Sequence, residues 1–205
     1  MPTWRIVVTA VIATAFWVGV ALGAGVPLGT EMSAAALSVS AGSESLQKGI
    51  AEFTIGNYEE ALEALTRARR QDPKSSSAAY YLGAVKKKMQ DYAGSLVDLK
   101  DAVTLLPAVK VAFIDLADAY FALSRYDEAL LALDVTERER IEPGQSAFLR
   151  GLVLAKQRRY GEATASFEKS KSFDPKLGTV CDYQIAAILQ QEGKFREARD
   201  RFTNV

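Results

Sequence analysis

The segments YEEALEAL, at residues 58–65, and YDEALLAL, at residues 126–133, differ at only two of eight positions. An aromatic residue begins each such segment at intervals of 34 residues, with a last interval of 35: Tyr58, Tyr92, Tyr126, Tyr160 and Phe195. A small residue follows each aromatic by three positions, at Ala61, Ser95, Ala129, Ala163 and Ala198. A large apolar residue follows it by seven, at Leu65, Leu99, Leu133, Phe167 and Phe202. Self-similarity at a fixed period of this length predicts a solenoid of stacked helix pairs.

Further small residues and prolines complete the pattern. Small residues precede the aromatics at Gly49, Gly83, Ala117, Gly151 and Ala186, and several repeats close on proline, at Pro73, Pro107 and Pro175. The whole pattern resembles the tetratricopeptide repeat family over roughly residues 42–205. The resemblance implies an all-α, right-handed superhelical solenoid of about five helix-turn-helix repeats, whose concave groove is lined by the first helix of each pair.

Turn and capping residues predict where the helices begin and end. We expect Gly56 to end the first helix, and Asn57 to cap the second with Glu60 as its capping-box partner. Pro73 ends the second helix, because proline excludes helical geometry from the residue before it. The later pairs are predicted at residues 75–89 and 92–105, 109–123 and 126–138, 145–157 and 160–171, and 177–190 and 194–203.

The five repeats are expected at about residues 42–75, 76–109, 110–143, 144–178 and 179–205. The connection between the third and fourth repeats departs from the pattern. Ile141 occupies the expected proline position there, and Pro143 follows two residues later. We therefore expect a slightly altered loop at this junction.

The sequence predicts that residues 1–26 form a membrane-targeting helix. Arg5 is the only charged residue before Glu31, and the 21 residues from 6 to 26 are almost all apolar, long enough to cross a hydrocarbon core. Two interpretations remain open, a signal anchor retained in the membrane and a cleaved signal peptide. Both place the repeats outside the cytoplasm, periplasmic, secreted or membrane-anchored, because the positive charge precedes the apolar segment. Residues 27–41, rich in Gly, Ser, Ala and Thr, are expected to form a flexible linker.

Composition excludes several classes of function. Lys+Arg and Asp+Glu both number 25, so the chain lacks the basic excess of a nucleic-acid binder. There is no histidine and one cysteine, Cys181, which excludes an intramolecular disulfide and removes the commonest zinc ligands. No nucleotide-binding glycine motif is present. We therefore expect no enzyme activity, no cofactor and no metal, and we expect Cys181 to be a core residue.

Acidic pairs are the remaining candidates for acid–base chemistry. Glu59 and Glu60, and Asp98 and Asp101, lie on second helices of the predicted pairs. Their helical positions are expected to face outward, so we interpret them as solvated charges.

The resemblance to tetratricopeptide repeats also implies which side chains line the groove. Counting from each repeat aromatic gives Phe53, Tyr80, Lys87, Lys88, Ile114, Asp118, Phe121, Phe148, Leu152, Lys156, Tyr183 and Gln190. The carboxylate-clamp variant of the family needs asparagine where this chain has Ile50 and Ala84, so that variant is not expected. The aromatic and aliphatic character of the stripe suits a helix or an extended apolar peptide. The chain's own N-terminal segment is an alternative occupant.

Two functions are consistent with these features. The first is an exported or membrane-tethered adaptor that binds a protein or peptide in the groove, for example as an assembly factor for a membrane or envelope complex. The second is a structural scaffold that assembles with itself. Self-association is expected at the C-terminal edge, because the last helix carries Phe195 and Phe202 and no further repeat follows in this sequence.

Overall fold

The computed structural model describes residues 43–105 and 110–203, and within them the chain is helical, with turns between the helices. The first helix, α1, covers residues 43–55. It is followed by α2 (Tyr58–Gln71), α3 (Ser76–Lys88), α4 (Tyr92–Leu105), α5 (Ala112–Ala122), α6 (Tyr126–Arg138), α7 (Pro143–Lys156), α8 (Tyr160–Phe173), a short 3-10 helix (Pro175–Leu177), α9 (Gly178–Gln191) and α10 (Phe195–Thr203). These are the five predicted helix pairs, and the all-α solenoid is confirmed.

Each helix packs against the next one along the chain, from α2 to α10. The odd-numbered helices are the first helices of the pairs, and the even-numbered ones are the second helices. The first helix α5 also contacts α3 and α7, the first helices of the neighbouring pairs. The first helices of the central repeats therefore lie side by side along one face of the right-handed superhelix.

The small-residue column lets the two helices of a pair approach closely. A Cβ atom at Gly49 would lie 2.5 Å from Leu65 Cγ, and one at Gly83 would lie 2.6 Å from Leu99 Cγ. In the fourth pair, a Cβ at Gly151 would lie 2.6 Å from the ring of Phe167. Real Cβ atoms do not come this close to other side chains. The glycines thus face the large apolar residue of their own repeat, as the two columns predict.

The hydrophobic core consists of three clusters arranged along the solenoid. The first cluster joins α2 and α3, the second extends from α4 to α7, and the third from α7 to α9. The helix α7 belongs to two of them, because Leu149 and Val153 lie in the second cluster and Leu154 in the third. Cys181 is fully buried in the third cluster, so its prediction as a core residue is confirmed.

Two local expectations from the sequence are wrong. Asn57 precedes α2, but its side chain does not cap the helix; its amide Nδ2 donates instead to Glu52 Oε2 at 2.9 Å. Asp98 is not a solvated charge, because its side chain is buried and its carboxylate lies 2.6 Å from Lys86 Nζ. Six residues after the repeat aromatic, the corresponding positions hold Ala64 and Ala132, which are also buried. That position faces the core in the first three repeats.

The altered junction lies between α6 and α7. Ile141, at the expected proline position, is buried and only 7% exposed. Glu142 adopts a left-handed conformation with φ of 37°, and α7 begins directly afterwards at Pro143. The helix therefore starts two residues earlier than the sequence predicted. Proline suits this first position, because the amide that it lacks has no partner in the first turn of a helix.

The predicted targeting helix and linker, residues 1–41, lie outside the described residues. In the part of the chain that the structure describes, every helix is too short or too polar to span a lipid bilayer.

Candidate peptide-binding groove

The predicted groove residues lie on the first helices α1, α3, α5, α7 and α9. Because α3, α5 and α7 lie side by side, the central predicted positions are on neighbouring helices that form one face of the solenoid. We call this face the inner groove. Its surface is a mixture of half-buried aromatic and aliphatic side chains with a few charges, and a polar network lies between α3 and α5.

This network is built around the ammonium group of Lys87. Its Nζ lies 2.5 Å from Asp115 Oδ1 and 3.0 Å from Asp118 Oδ2, so one lysine of α3 binds two carboxylates of α5. Lys87 and Asp115 are both largely buried, with 18% and 15% of their side chains exposed, whereas the side chain of Asp118 is 43% exposed. The network therefore joins two neighbouring repeats and leaves one carboxylate open to the groove.

Burial and charge act in opposite directions on the groups of this network. Burial alone would lower the pKa of Lys87, but its attraction to Asp115 and Asp118 outweighs this and holds the pKa above its ordinary value. Burial, followed by the charge of Asp115, raises the pKa of the Tyr80 hydroxyl. Lys87 is thus charged and Tyr80 neutral at neutral pH, and the hydroxyl of Tyr80 is a hydrogen-bond donor at the edge of the groove.

Five predicted groove residues are half-buried and pack against the core clusters: Phe53, Tyr80, Phe121, Phe148 and Leu152. The ring centroid of Phe121 lies 6.1 Å from that of Tyr126, and the Phe148 centroid lies 5.6 Å from that of Phe167. These side chains contribute to packing as well as to the groove surface. Replacing them would therefore disturb the fold together with any binding.

Four predicted residues are exposed: Lys88, Lys156, Tyr183 and Gln190. Tyr183 is 54% exposed and its ring centroid lies 5.6 Å from that of Phe202 in α10. Ile114 differs from the other predicted groove residues, since it is only 2% exposed and lies on the buried side of α5. The prediction that Ile114 lines the groove surface is therefore wrong, because counting from the repeat aromatic selects a helix face but does not show how deeply the neighbouring repeat covers it.

The sequence analysis missed Asp115. It lies three residues before Asp118 on α5, a spacing that places both carboxylates on the same side of a helix. That spacing was the available signal, but only the contact with Lys87 on the preceding repeat identifies Asp115 as part of the network. Among residues 43–105 and 110–203, no group of three or more His, Cys, Asp or Glu side chains is placed to hold a metal ion.

Helix pairs, in which a small residue of the first helix packs against a large apolar residue of the second, define a helical-repeat solenoid. The sequence profile of the tetratricopeptide repeat matches residues 46–85 and 114–177, which together make up just over half of the chain. The protein belongs to the tetratricopeptide repeat family.

Solved structures of such repeats share this fold. The MamA fragment from residue 41 onward of Desulfovibrio magneticus RS-1 has a TM-score of 0.73 at 16% identity, over 80% of this chain and 92% of that one. PilF of Pseudomonas aeruginosa has a TM-score of 0.68 at 20% identity, over 81% and 75% of the two chains. TTC0263, a thermophilic TPR protein of Thermus thermophilus, has a TM-score of 0.62 at 23% identity, over 80% and 89%.

At these identities the likeness concerns the fold alone. Comparison of the sequence with curated proteins finds no significant match.

Proposed function

We propose that this protein is a non-enzymatic adaptor that holds another protein through a helix or extended peptide bound in the inner groove. The observation that carries the proposal is the row of groove side chains that packing between repeats leaves uncovered. It includes the half-buried Tyr80, Phe121 and Leu152 and the partly exposed carboxylate of Asp118. Apolar anchors beside a few fixed charges are what an amphipathic peptide requires. Membership in the tetratricopeptide repeat family supports the same function.

The test uses groove residues that the core does not need. The combined variant Tyr183→Ser, Lys156→Glu changes two exposed first-helix residues, and the control Val97→Ser, Arg138→Glu makes similar changes on the second helices. The tagged full chain is used to capture partners from solubilised membranes of its source. We expect the groove variant to recover at least about tenfold less of the partner, since single interface anchors often contribute this much.

The control should recover as much partner as the unchanged protein, and all three proteins should melt at nearly the same temperature. Equal recovery by the groove variant and the unchanged chain would show that the inner groove is not the binding surface.

We further propose that the repeats act outside the cytoplasm, tethered or released, in the assembly of a membrane or envelope complex. The support is in the sequence: Arg5 precedes an apolar run of membrane-spanning length, and the next charged residue is acidic. Protease added to intact spheroplasts should digest the repeats. Complete protection of the repeats would contradict this localisation.

A second candidate function is a self-assembling scaffold, and exposed aromatic side chains on α9 and α10 favour it. Phe195 is 67% exposed, Tyr183 54% and Phe202 38%. Phe202 lies next to both of the others, since its ring centroid is 5.6 Å from that of Tyr183 and it lines one surface pocket with Phe195. Repeat interfaces are formed by such side chains, because each repeat covers the apolar face of its neighbour.

Phe195→Asp is expected to lower the mass of the full chain in sedimentation, measured in detergent at tens of micromolar protein. Burying a charged carboxylate at an apolar contact without a partner is unfavourable, so association through this face would be lost. Glu192→Gln, an exposed change nearby, serves as the control and should leave the mass unchanged. A monomer in all three proteins would exclude the scaffold function.

A further inference from the structure

A cavity of about 450 Å³ lies on the outer side of the junction between the third and fourth repeats. It is bounded by the second helices α6 and α8 and by the first half of α7, so it is separate from the inner groove. Its volume falls within the range of small-molecule sites in proteins. We call it the outer cavity. It coincides with the altered connection, where Ile141 turns into the core and α7 begins early at Pro143.

The inner part of the outer cavity is apolar. Leu133 is fully buried at its base, and Ala147, which is 7% exposed, lies beside it. At the rim, Phe173 keeps 51% of its surface exposed. A ligand with an apolar body would cover the exposed ring of Phe173 and gain the free energy of removing it from water, with Leu133 and Ala147 as its apolar floor.

Basic side chains outnumber acidic ones around the rim. Arg140, Arg150 and Lys169 line the outer cavity, and Glu137 is the carboxylate among its lining residues. Arg140 is exposed and extends from the altered loop, where its own φ is 53°. Lys169 also lies 6.0 Å from the ring centroid of Phe173, so a cation and an aromatic face stand together at the rim. This combination of an apolar base and a cationic rim is complementary to an amphipathic anion.

Glu137 already occupies part of this cationic rim. Lys169 donates a hydrogen bond to it, and Arg150 Nη2 lies 3.4 Å from its Oε2. The bond from Lys169 is the main reason that the pKa of Glu137 lies below its ordinary value, despite the opposing effect of burial. The carboxylate is therefore ionised at neutral pH and acts as an internal anion. An acidic group from a ligand would have to share Lys169 with it.

We propose that the outer cavity binds a small amphipathic organic anion, a molecule with an apolar body and one acidic group. The apolar body packs against Leu133, Ala147 and Phe173, and the acidic group lies between Arg140 and Lys169. A fatty or aromatic carboxylic acid has this chemistry. This site is independent of peptide binding in the inner groove.

The probe for the test is 8-anilinonaphthalene-1-sulfonate, whose fluorescence rises when its apolar body is buried. N-phenyl-1-naphthylamine has the same ring system without the sulfonate and is the neutral counterpart. Both are titrated against the full chain and its variants under identical conditions. Because residues 1–42 are common to every variant, differences between variants report on the outer cavity. Arg140 and Lys169 are surface side chains, so their replacement should leave the melting temperature nearly unchanged.

Three results are expected. Arg140→Gln and Lys169→Gln should each weaken binding of the sulfonate about tenfold, as the loss of a charged hydrogen bond does, with little effect on the neutral probe. Glu137→Gln should strengthen sulfonate binding, because it removes the competing internal anion. Arg138→Gln removes a charge from α6, the helix of Glu137, at a position outside the cavity. It should leave the binding of both probes unchanged.

Glu137→Gln and Lys169→Gln are expected to change sulfonate binding in opposite directions. Loss of structure would instead raise the binding of both probes in every variant, so the two explanations can be told apart. Phe195→Ser tests the exposed aromatic face at the C-terminal end as the other location for the probe. The proposal is overturned if Phe195→Ser abolishes sulfonate binding while Arg140→Gln and Lys169→Gln leave it unchanged. It is also overturned if the two probes respond alike to every charge variant.

Discussion

Phe167→Ala is expected to lower the free energy of unfolding by about 3–5 kcal/mol, the usual cost of truncating a buried phenylalanine. Phe167 is the largest side chain of the chain's described part that is fully buried. It lies against the backbone of α7 at Gly151 and its ring centroid is 5.6 Å from that of Phe148. Because α7 and α8 are held at a distance set by this contact, the cavity left by alanine cannot close without shifting a helix.

Urea denaturation followed by circular dichroism measures this loss. The matched control is Phe173→Ala, the same change on the same helix at a side chain that is 51% exposed. It should cost less than about 1 kcal/mol, as is usual for surface positions. A similar loss from both variants would mean that the α7–α8 contact is not the main source of stability in the fourth repeat.

Gly83→Val is expected to destabilise the second repeat by about 1–3 kcal/mol or more, the range for overpacking in a close-packed interior. A Cβ at this position would lie 2.6 Å from Leu99 Cγ and 3.2 Å from the Leu99 backbone nitrogen. Leu99 is fully buried, so its side chain has no free space into which it could move. The gain in helix propensity over glycine, less than about 1 kcal/mol, is too small to compensate.

Gly161→Ala is the control, because Gly161 is helical and exposed and a Cβ there meets no atom within 4 Å. The free energy of unfolding of Gly161→Ala should stay equal or rise by up to about 1 kcal/mol, because alanine lowers the conformational entropy of the unfolded chain. The double variant Gly83→Val, Leu99→Ala should lose less free energy of unfolding than Gly83→Val and Leu99→Ala lose together, because the clash involves the Leu99 side chain. If Gly83→Val and Gly161→Ala change the free energy of unfolding equally, the glycine at position 83 is not required for the close approach of α3 to α4.

The repeat period was sufficient to predict the fold, because a single geometric relation recurs in each repeat. A small residue on the first helix faces a large one on the second, and Gly83 with Leu99 shows this as clearly as Gly151 with Phe167. Any sequence that keeps these columns keeps the same helix pair. Tyr183 and Lys156 are exposed, as the resemblance to the repeat family implied by placing them on the groove surface.

What the period could not predict depends on contacts between different repeats. Asp98 occupies a position held by alanine in two other repeats, and only the nearby Lys86 makes a carboxylate tolerable there. Ile114 and Asp115 are adjacent in sequence, yet one is core and the other binds Lys87 of the preceding repeat. The outer cavity lies beside the altered loop and is lined in part by Arg140 and Pro143 from it. The sequence identified that loop as irregular but did not reveal the space beside it.

The position of α7 in two core clusters has a consequence for cooperativity. Along a one-dimensional array, repeats unfold together when the free energy of their interfaces exceeds the differences in their intrinsic stabilities. Leu149 and Val153 tie α7 to the repeats before it, and Leu154 ties it to those after it. Melting of the fourth repeat would therefore expose apolar surface on both sides at once. We therefore expect the third, fourth and fifth repeats to unfold together rather than one at a time.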